Sequence, residues 1–311
     1  MEFGIEIPIA KPFDGVALGL NAVDHLIVVP HYPEFNSKIH YQSHHLAPGG
    51  QSATAMVTLA RLGLSASYIG KVGSDEEGRF QISSLASEGV DTAGVTVVEG
   101  AESQNAFIII DQATGERTIL WRRDERLTIR EEEVDSRAVT SGRVLHIDGH
   151  DVAASIAAAR FARAARIPVV LDIDNVYAGS ENLFPLVDFL ISSSSFPERL
   201  TGEPDIAAAL KRLHEDYGSL MVAATMGSEG ALAYIHGRYI HSPAFKVECR
   251  DTTGAGDAFH GGFIYGLLMG FSVEETLRFA NAVAALKCRA VGARTALPRI
   301  DEVDALLASA H

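Results

Sequence analysis

The second half of the chain alternates between short apolar runs and longer helical segments, and this pattern restricts the fold more than any other feature. Val144–Ile147, Val169–Ile173 and Phe189–Ile191 are predicted strands, and the alanine-rich segment Val152–Ala165 is a predicted helix between the first two. Strands separated by helices pair in parallel, and the helices then cover both faces of the sheet. The sequence therefore predicts an α/β fold, a three-layer α/β/α sandwich around a mostly parallel central sheet.

A glycine-rich turn that leads into a helix is the next constraint. Asp251–Leu268 reads DTTGAGDAFHGGFIYGLL. Gly254, Ala255 and Gly256 form a small-residue turn that lets a ligand approach the main chain, and apolar residues at helical spacing follow. The first turn of a helix has unpaired N–H groups and partial positive charge, so it attracts anions. We expect an anion site at this turn.

Asp257 lies within that expected anion site, where its negative charge opposes the binding of phosphate. The carboxylate fits there if it accepts a proton from a hydroxyl while the amides stabilise the phosphoryl group under attack. The turn taken alone is equally compatible with a simpler role, in which Asp257 only stabilises the helix dipole.

The motif D-T-T-G-A-G-D-A-F resembles the C-terminal motif of the ribokinase-like (PfkB) carbohydrate kinases. The resemblance implies a ribokinase-like fold with a small β-sheet lid, and ATP-dependent phosphorylation of a primary hydroxyl of a small ribose- or fructose-like sugar. It implies that Asp257 is the base and that the amides of residues 254–257 form the anion hole. It also implies that Mg²⁺ bridges oxygens of ATP, and that a monovalent cation such as K⁺ lies near Asp251 and Thr253, held mainly by main-chain oxygens.

Asp24 is the first candidate ligand of the acceptor. It follows the predicted strand Val16–Leu20, in a turn before a second predicted strand, Leu26–Val29. The residues there fit a turn residue and a ligand at the edge of a sheet equally well. In the PfkB pattern, G-x-x-x-x-D at this point supplies a carboxylate that holds sugar hydroxyls, so the resemblance assigns that role to Asp24.

Gly49 and Gly50 precede a predicted helix and resemble the N-terminal PfkB motif, in which GG is followed after three residues by Asn. Thr54 stands at the position of that Asn, and Gln51 stands at a position that is usually polar. Both side chains can hydrogen-bond a sugar, so the resemblance places all four residues at the acceptor. Arg117, in a later strand, is either a phosphate or sugar contact or a solvated strand arginine.

The lid is expected from two segments, near residues 24–47 and 104–122. Within the second, Ala106–Ile110 and Arg117–Trp121 are predicted to form a hairpin with Gly115 in its turn. In the family the lid covers the sugar and often forms the contact between two copies of the chain. The resemblance therefore implies a homodimer.

The nucleotide is expected at the ends of later strands. Thr225 and Gly227 belong to a segment similar to the T-x-G-x-x-G-A of the family, which borders the nucleotide, and Asn281 stands where the family packs residues around adenine. The family also has an N-x-x-E motif that organises Mg²⁺ and phosphates. Counting back from a later Leu-Thr-Gly sequence places Ser193 at the Asn and Phe196 at the Glu. This departure leaves open how Mg²⁺ is held.

Composition excludes several classes of function. The 311 residues carry a formal net charge of −14, which argues against a nucleic-acid or anionic-membrane partner because no basic face is evident. Two distant cysteines need no disulfide. The N-terminus lacks the features of a signal peptide, and no apolar run is long enough to span a membrane. We expect a single cytoplasmic domain over residues 1–311.

Two alternatives to a sugar kinase remain open at this stage. A nucleoside kinase on the same fold would use the same base with a more aromatic acceptor pocket, for which Phe13, Phe35 and Tyr41 are candidates. A catalytically silent binding or regulatory protein is conceivable because the N-x-x-E motif is missing, although such a protein has no need for Asp257. Leu145–His150 reads LHIDGH and resembles the ketohexokinase-like branch of the family, which points towards a ketose.

Overall fold

The computed structural model describes residues 1–114 and 116–309. The described residues form a nine-stranded sheet, a separate four-stranded sheet and helices packed around the larger sheet. The strands are β1 (Phe13–Leu18), β2 (Ala22–Val29), β3 (Ser43–Gly49), β4 (Ala66–Gly73), β5 (Asp91–Val98), β6 (Asn105–Asp111), β7 (Arg117–Arg122), β8 (Gly142–Ile147), β9 (Val169–Ile173), β10 (Phe189–Ser193), β11 (Met221–Thr225), β12 (Ala231–Ile235) and β13 (Arg238–Ser242). The α-helices are α1 (Gln51–Arg61), α2 (Glu76–Ser87), α3 (Ser136–Val139), α4 (Val152–Ala164), α5 (Ser195–Thr201), α6 (Ile206–Tyr217), α7 (Ala255–Met269), α8 (Val273–Lys287) and α9 (Ile300–Ser309).

The nine strands of the larger sheet run in the order β13-β12-β11-β10-β9-β8-β1-β4-β5. All neighbours from β5 to β11 pair in parallel, and only β12 and β13 at one edge are antiparallel. Each residue of β9 is buried, as expected for a parallel strand that helices cover on both sides. The predicted three-layer α/β/α fold with a mostly parallel sheet is confirmed.

The hydrophobic core lies in two layers, one on each face of the larger sheet. Ala17 and Val144 face the layer that holds Phe263 of α7. Val16 and Leu145 point to the opposite layer, which holds Ala158 of α4. Because successive residues of a strand point to opposite faces, this alternation fixes the register of the central strands, in which Val16 pairs with Leu145.

The four-stranded sheet has the order β3-β2-β6-β7 and lies in the two segments predicted for the lid. The pair β2–β6 is parallel and the other two pairs are antiparallel. The predicted turn at Asp24 is wrong. Asp24 is the third residue of β2 and lies between Ala47 of β3 and Ala106 of β6. Gly115, predicted in the β6–β7 turn, lies outside the described residues.

Helix α8 begins at Val273, directly after the N-cap residue Ser272. The sequence Ser-x-x-Glu forms a capping box there. Ser272 Oγ accepts from the Glu275 N–H at 3.3 Å, and the Glu275 carboxylate accepts from the Ser272 N–H at 2.9 Å. In residues 1–114 and 116–309, the helices are all too short or too polar to cross a bilayer.

Candidate active site

The glycine-rich turn forms the start of α7, as predicted, with Asp257 in the first helical turn. Gly254 caps the helix with a φ of 79°, a conformation that favours glycine. A Cβ atom on Gly254 would lie 2.8 Å from the Cα atom of Ala293, so a side chain there would also clash. Asp257 is half-buried. The turn therefore needs glycine both for its backbone and for its packing.

The backbone N–H groups of this turn are mostly unpaired. Within the described residues, the N–H groups of Gly254, Gly256 and Asp257 make no hydrogen bond, while that of Ala255 donates to the Thr252 carbonyl at 3.1 Å. The prediction of an amide from Ala255 in the anion hole is therefore corrected, because the turn itself uses that donor. The remaining N–H groups at the helix start suit an anion.

Burial raises the pKa of Asp257 to about 6. The positive charge of Arg294 opposes this shift, the negative charge of Asp174 adds to it, and Lys287 and Arg117 both favour the ionised form. A carboxylate with a pKa near neutrality can accept a proton and release it again, as general bases do. The geometry and the pKa thus both favour a base at this position.

Asp24 is a second carboxyl group with a raised pKa, and its side chain is buried, 5% exposed. Burial raises its pKa to about 7, against the charge of Arg294, and Asp257 is near enough to raise it further. None of the described residues donates a hydrogen bond to Asp24. A Cβ atom on Gly49 would lie 2.2 Å from Asp24 Oδ2, so the first glycine of the pair leaves room for this carboxylate. Asp24 is therefore free to accept hydrogen bonds from a ligand's hydroxyl groups.

Arg294 contacts Thr54, the residue that stands where the family has asparagine. Its guanidinium is buried and donates to Thr54 Oγ1 at 3.2 Å, to Asn21 Oδ1 at 3.0 Å and to the Gly49 carbonyl. Thr54 thus supports Arg294, and its predicted contact with the sugar stays a prediction. Gln51 is half-buried at the first position of α1, directly after Gly50. Arg294 therefore ties together the segments that surround Asp24.

Arg117 extends from β7 of the smaller sheet to the glycine-rich turn. It is exposed, and its Nη1 donates to Thr252 Oγ1. This contact joins the small sheet to the loop that precedes α7. Arg117 is therefore an exposed strand arginine with one contact to this loop, and its contact with phosphate or sugar stays a prediction.

The residues predicted near the nucleotide line the ends of β10 and β11. Ser193 and Thr225 are paired neighbours at these ends, and Gly227 follows in an exposed turn. The side-chain amide of Asn281 donates to the Ser242 carbonyl at 2.8 Å and Oγ at 3.0 Å, so its donors are used by the protein. Phe196, where the family has Glu, is fully buried in the core.

Asp251 and Thr253, predicted beside a monovalent cation, already have partners. The Asp251 carboxylate accepts from the N–H and the hydroxyl of Thr253 and from the N–H of Gly292. Its main-chain carbonyl accepts from Lys287 Nζ at 2.8 Å. These residues do not fit an added cation, because an ammonium group already occupies the place beside the carbonyl.

Three charged residues near Asp257 were not found from the sequence: Asp174, Lys287 and Arg294. Asp174 directly follows β9, at the carboxyl edge of the parallel sheet where ligands bind. Its place after a predicted strand could therefore have identified it from the sequence. Lys287 and Arg294 belong to no recognisable sequence motif. Both are buried long side chains whose direction depends on tertiary packing.

Comparison with known proteins agrees with this geometry. Residues 16–300 match the model of the pfkB family carbohydrate kinases. An ATP-dependent ribose-1-phosphate kinase of Halopiger xanaduensis is 31% identical, with 90% of this chain and 93% of that protein covered. A ribokinase of Haemophilus influenzae is 28% identical over 92% of this chain and 95% of that protein. The crystal structure of a putative ribokinase from Agrobacterium tumefaciens superposes with a TM-score of 0.90 at 28% identity, covering 96% of this chain and 98% of that one. The chain therefore belongs to the pfkB family of carbohydrate kinases and is an ATP-dependent sugar kinase, a phosphotransferase with an alcohol group as acceptor.

Proposed function

We propose that the protein transfers the γ-phosphoryl group of ATP in line to a primary hydroxyl of a small sugar, with Asp257 as the base. The observation that carries this proposal is a pair of carboxyl groups, the buried Asp24 and the half-buried Asp257. Each has a raised pKa, and the charge of Asp257 acts on Asp24. One of them lies beside free N–H groups at a helix start, and the other is open to hydroxyl donors.

In the proposed reaction, Asp24 accepts hydrogen bonds from the sugar and orients it, and Asp257 removes the proton of the attacking hydroxyl. The N–H groups of Gly254 and Gly256 bind the oxygens of the transferring phosphoryl group, where negative charge develops. Arg117 reaches this turn from the small sheet and adds positive charge near Asp257. The small sheet then serves as a lid over the acceptor.

Mg²⁺, when bound with ATP, neutralises charge on the phosphate oxygens. Among the described residues no group of three His, Cys, Asp or Glu side chains could hold a metal ion. Mg²⁺ commonly uses one or two carboxylates together with water and the phosphates of the substrate. Asp174 suits this role, because it is exposed at the end of β9 and its charge acts on Asp257.

A sugar acceptor is favoured over a nucleoside. Phe13, an aromatic candidate for a nucleoside pocket, begins β1 at the amino edge of the sheet, away from the carboxyl edge. Phe35 and Tyr41 are exposed. A silent binding protein is disfavoured because it would gain nothing from a raised pKa at Asp257.

Two copies of the chain are proposed to pair through the lid. Leu46, His25, Phe107 and Leu120 lie opposite one another in a row across β3, β2, β6 and β7. Leu46 is 48%, Phe107 44% and Leu120 57% exposed. An exposed apolar row of this kind is typical of an interface. Sedimentation velocity should find a dimer that Leu120→Glu dissociates, and a monomeric wild-type chain would contradict this part of the proposal.

The function is tested by a coupled ADP-release screen across ribose, fructose, other small sugars, ribose 1-phosphate and adenosine, with Asp257→Asn as the inactive control. Asp301→Asn is the matched control, because Asp301 also lies in the first turn of a helix but is exposed on α9. We expect sugar-dependent ADP release by the wild type and by Asp301→Asn. Release with adenosine alone would establish a nucleoside kinase, and ATP binding without release on any acceptor would favour a silent protein.

A further inference from the structure

A lysine ammonium group lies where the family resemblance implies a monovalent cation. Lys287 is the last residue of α8 and is fully buried. Its Nζ atom donates to the Asp251 carbonyl at 2.8 Å and lies 3.9 Å from Asp251 Oδ2. A buried lysine is rare unless a negative charge balances it, and Asp251 supplies that charge.

The surrounding hydrogen bonds leave little for a second cation to bind. Asp251 Oδ1 accepts from the Thr253 N–H at 2.9 Å and from the Thr253 hydroxyl at 2.7 Å. Asp251 Oδ2 accepts from the Gly292 N–H at 2.7 Å. A K⁺ ion bound to the same oxygens would lie beside the ammonium group, and two like charges at such a distance in a protein interior repel strongly.

The loop that leads to Asp257 is also fixed to the end of α8. The N–H groups of Arg250 and Asp251 donate to the Cys288 carbonyl at 2.8 and 3.3 Å. Together with the hydrogen bond from Lys287 to the Asp251 carbonyl, these contacts attach the main chain of Asp251 to the end of α8. Gly254 and Asp257 follow within a few residues, so the position of the anion site depends on this attachment.

We propose that Lys287 is a built-in replacement for the monovalent cation, so that this kinase works without K⁺. The ammonium group occupies the cation's place beside the Asp251 carbonyl, holds the loop before α7 and adds positive charge near Asp257. Lys287 is thus a positioning residue. This inference rests on the proposed phosphoryl transfer, because its main consequence is the ion dependence of that reaction.

The first test compares wild-type turnover in chlorides of K⁺, Na⁺ and tetramethylammonium at equal ionic strength. We expect the rates to agree within about twofold, since the charge at this position is already present. An activation of the wild type by K⁺ of about tenfold or more, absent with Na⁺, would overturn the proposal.

The second test removes the ammonium group in Lys287→Ala and Lys287→Met. In tetramethylammonium chloride we expect a loss in kcat of at least about tenfold, because a fixed charge near the transferring group is gone. K⁺, NH₄⁺ or ethylammonium should restore part of the rate of the Lys287→Ala variant. The Lys287→Met side chain fills the space, so that variant should respond less. Lys211→Met, which removes an exposed lysine on α6, is the matched control and should be unaffected. Full activity of Lys287→Ala without any such ion would contradict the inference.

A third measurement does not depend on turnover. Removing one partner of a buried ion pair is strongly destabilising, and an ion that binds the folded state raises the melting temperature. We expect K⁺ to raise the melting temperature of Lys287→Ala above its value in Na⁺, and to leave that of the wild type unchanged. If Lys287→Ala does not fold, the wild-type comparison still decides, because a K⁺-specific stabilisation of the wild type would refute the proposal. The melting-temperature comparison needs no substrate, so it can be made even if no tested sugar is phosphorylated. Failure of the proposed function can therefore be told apart from failure of this inference.

Discussion

The proposed acceptor side and the proposed nucleotide side of the site are built in different ways. Around the proposed acceptor position, Asp24 and Arg294 are buried ionisable residues, and Arg294 donates to side chains and main chain from three segments. On the nucleotide side, Ser193 and Thr225 are half-buried neutral residues at strand ends, and Phe196 is part of the core. The proposed acceptor side thus has buried ionisable groups, whereas the ends of β10 and β11 carry neutral residues.

The difference also concerns how the chain departs from the family pattern. At position 54, threonine stands in place of asparagine, and Arg294 occupies the surrounding polar space. At position 196, phenylalanine stands in place of glutamate and packs against Phe184, with ring centroids 6.1 Å apart. The threonine at position 54 is part of a polar network, whereas the phenylalanine at position 196 is part of the apolar core. Acceptor changes should therefore have large effects and nucleotide-side changes small ones.

The largest effect is expected at the boundary between the two sides. Asp257→Asn keeps the shape of the side chain but cannot accept the proton, so kcat should fall by about 10²–10⁴. ATP binding, measured by isothermal titration, should stay close to the wild-type value because the nucleotide side is unchanged. A variant that retains more than about a tenth of the turnover would show that Asp257 is not the base.

The pH dependence of kcat/KM should be the next largest effect. The pKa values of Asp24 and Asp257 are raised to about 7 and about 6, and both groups must be ionised for the proposed reaction. Activity should therefore fall as the pH is lowered from 8 to 5, by about 10²–10³. In Asp24→Asn, the slope of log kcat/KM below pH 6 should drop from nearly two to about one. An unchanged profile in this variant would exclude Asp24 from the titration.

Asp24→Asn should reduce kcat/KM for the sugar by about 10–100-fold, since hydrogen bonds to a charged group are lost. The KM for ATP should not change, which separates the acceptor side from the nucleotide side. A parallel rise of both KM values would break that distinction.

The stability of Asp24→Asn has its own pH dependence. Because the folded-state pKa of Asp24 lies above the unfolded value, its contribution to stability is complete below about pH 4 and is lost as the pH rises through about 7. The melting temperature of Asp24→Asn relative to the wild type should therefore rise between pH 4.5 and pH 8. Asp301→Asn, at an exposed position, should show no such trend.

The smallest effect is expected for Ser193→Ala and Thr225→Val. Both residues lie at neutral strand ends, and loss of one hydroxyl contact with the nucleotide should raise the KM for ATP by about threefold to tenfold. The KM for the sugar should be unchanged. An effect as large as that of Asp24→Asn would reverse the comparison between the two sides.

Much of the fold was predictable because it depends on local patterns. The buried strand Val169–Ile173 was predicted with its observed ends, and the glycine-rich turn was placed correctly at the start of a helix. Asp24 was misplaced because Asn21 and Asp24 are residue types common in turns, whereas β2 already begins at Ala22. β5 and α9 were not predicted.

The site was predictable where a motif carried it and not where packing did. Asp24 and Asp257 lie within recognisable motifs, whereas Lys287 and Arg294 act through side chains that cross the core from distant segments. Arg294 donates to Asn21, 273 positions earlier in the chain. No local pattern encodes such a contact, so the positions of Lys287 beside Asp251 and of Arg294 beside Thr54 needed the three-dimensional structure.

The position of Asp24 on the small sheet has a mechanical consequence. Asp24 on β2 and Arg117 on β7 belong to one sheet, whereas Asp257 is anchored to the body of the molecule by α7. A rotation of that sheet about the short link between β1 and β2 would take both side chains away from Asp257 at once. Product release and the entry of the next sugar would then be one mechanical event, and stiffening that link should slow the whole cycle while leaving the chemical step as fast as before.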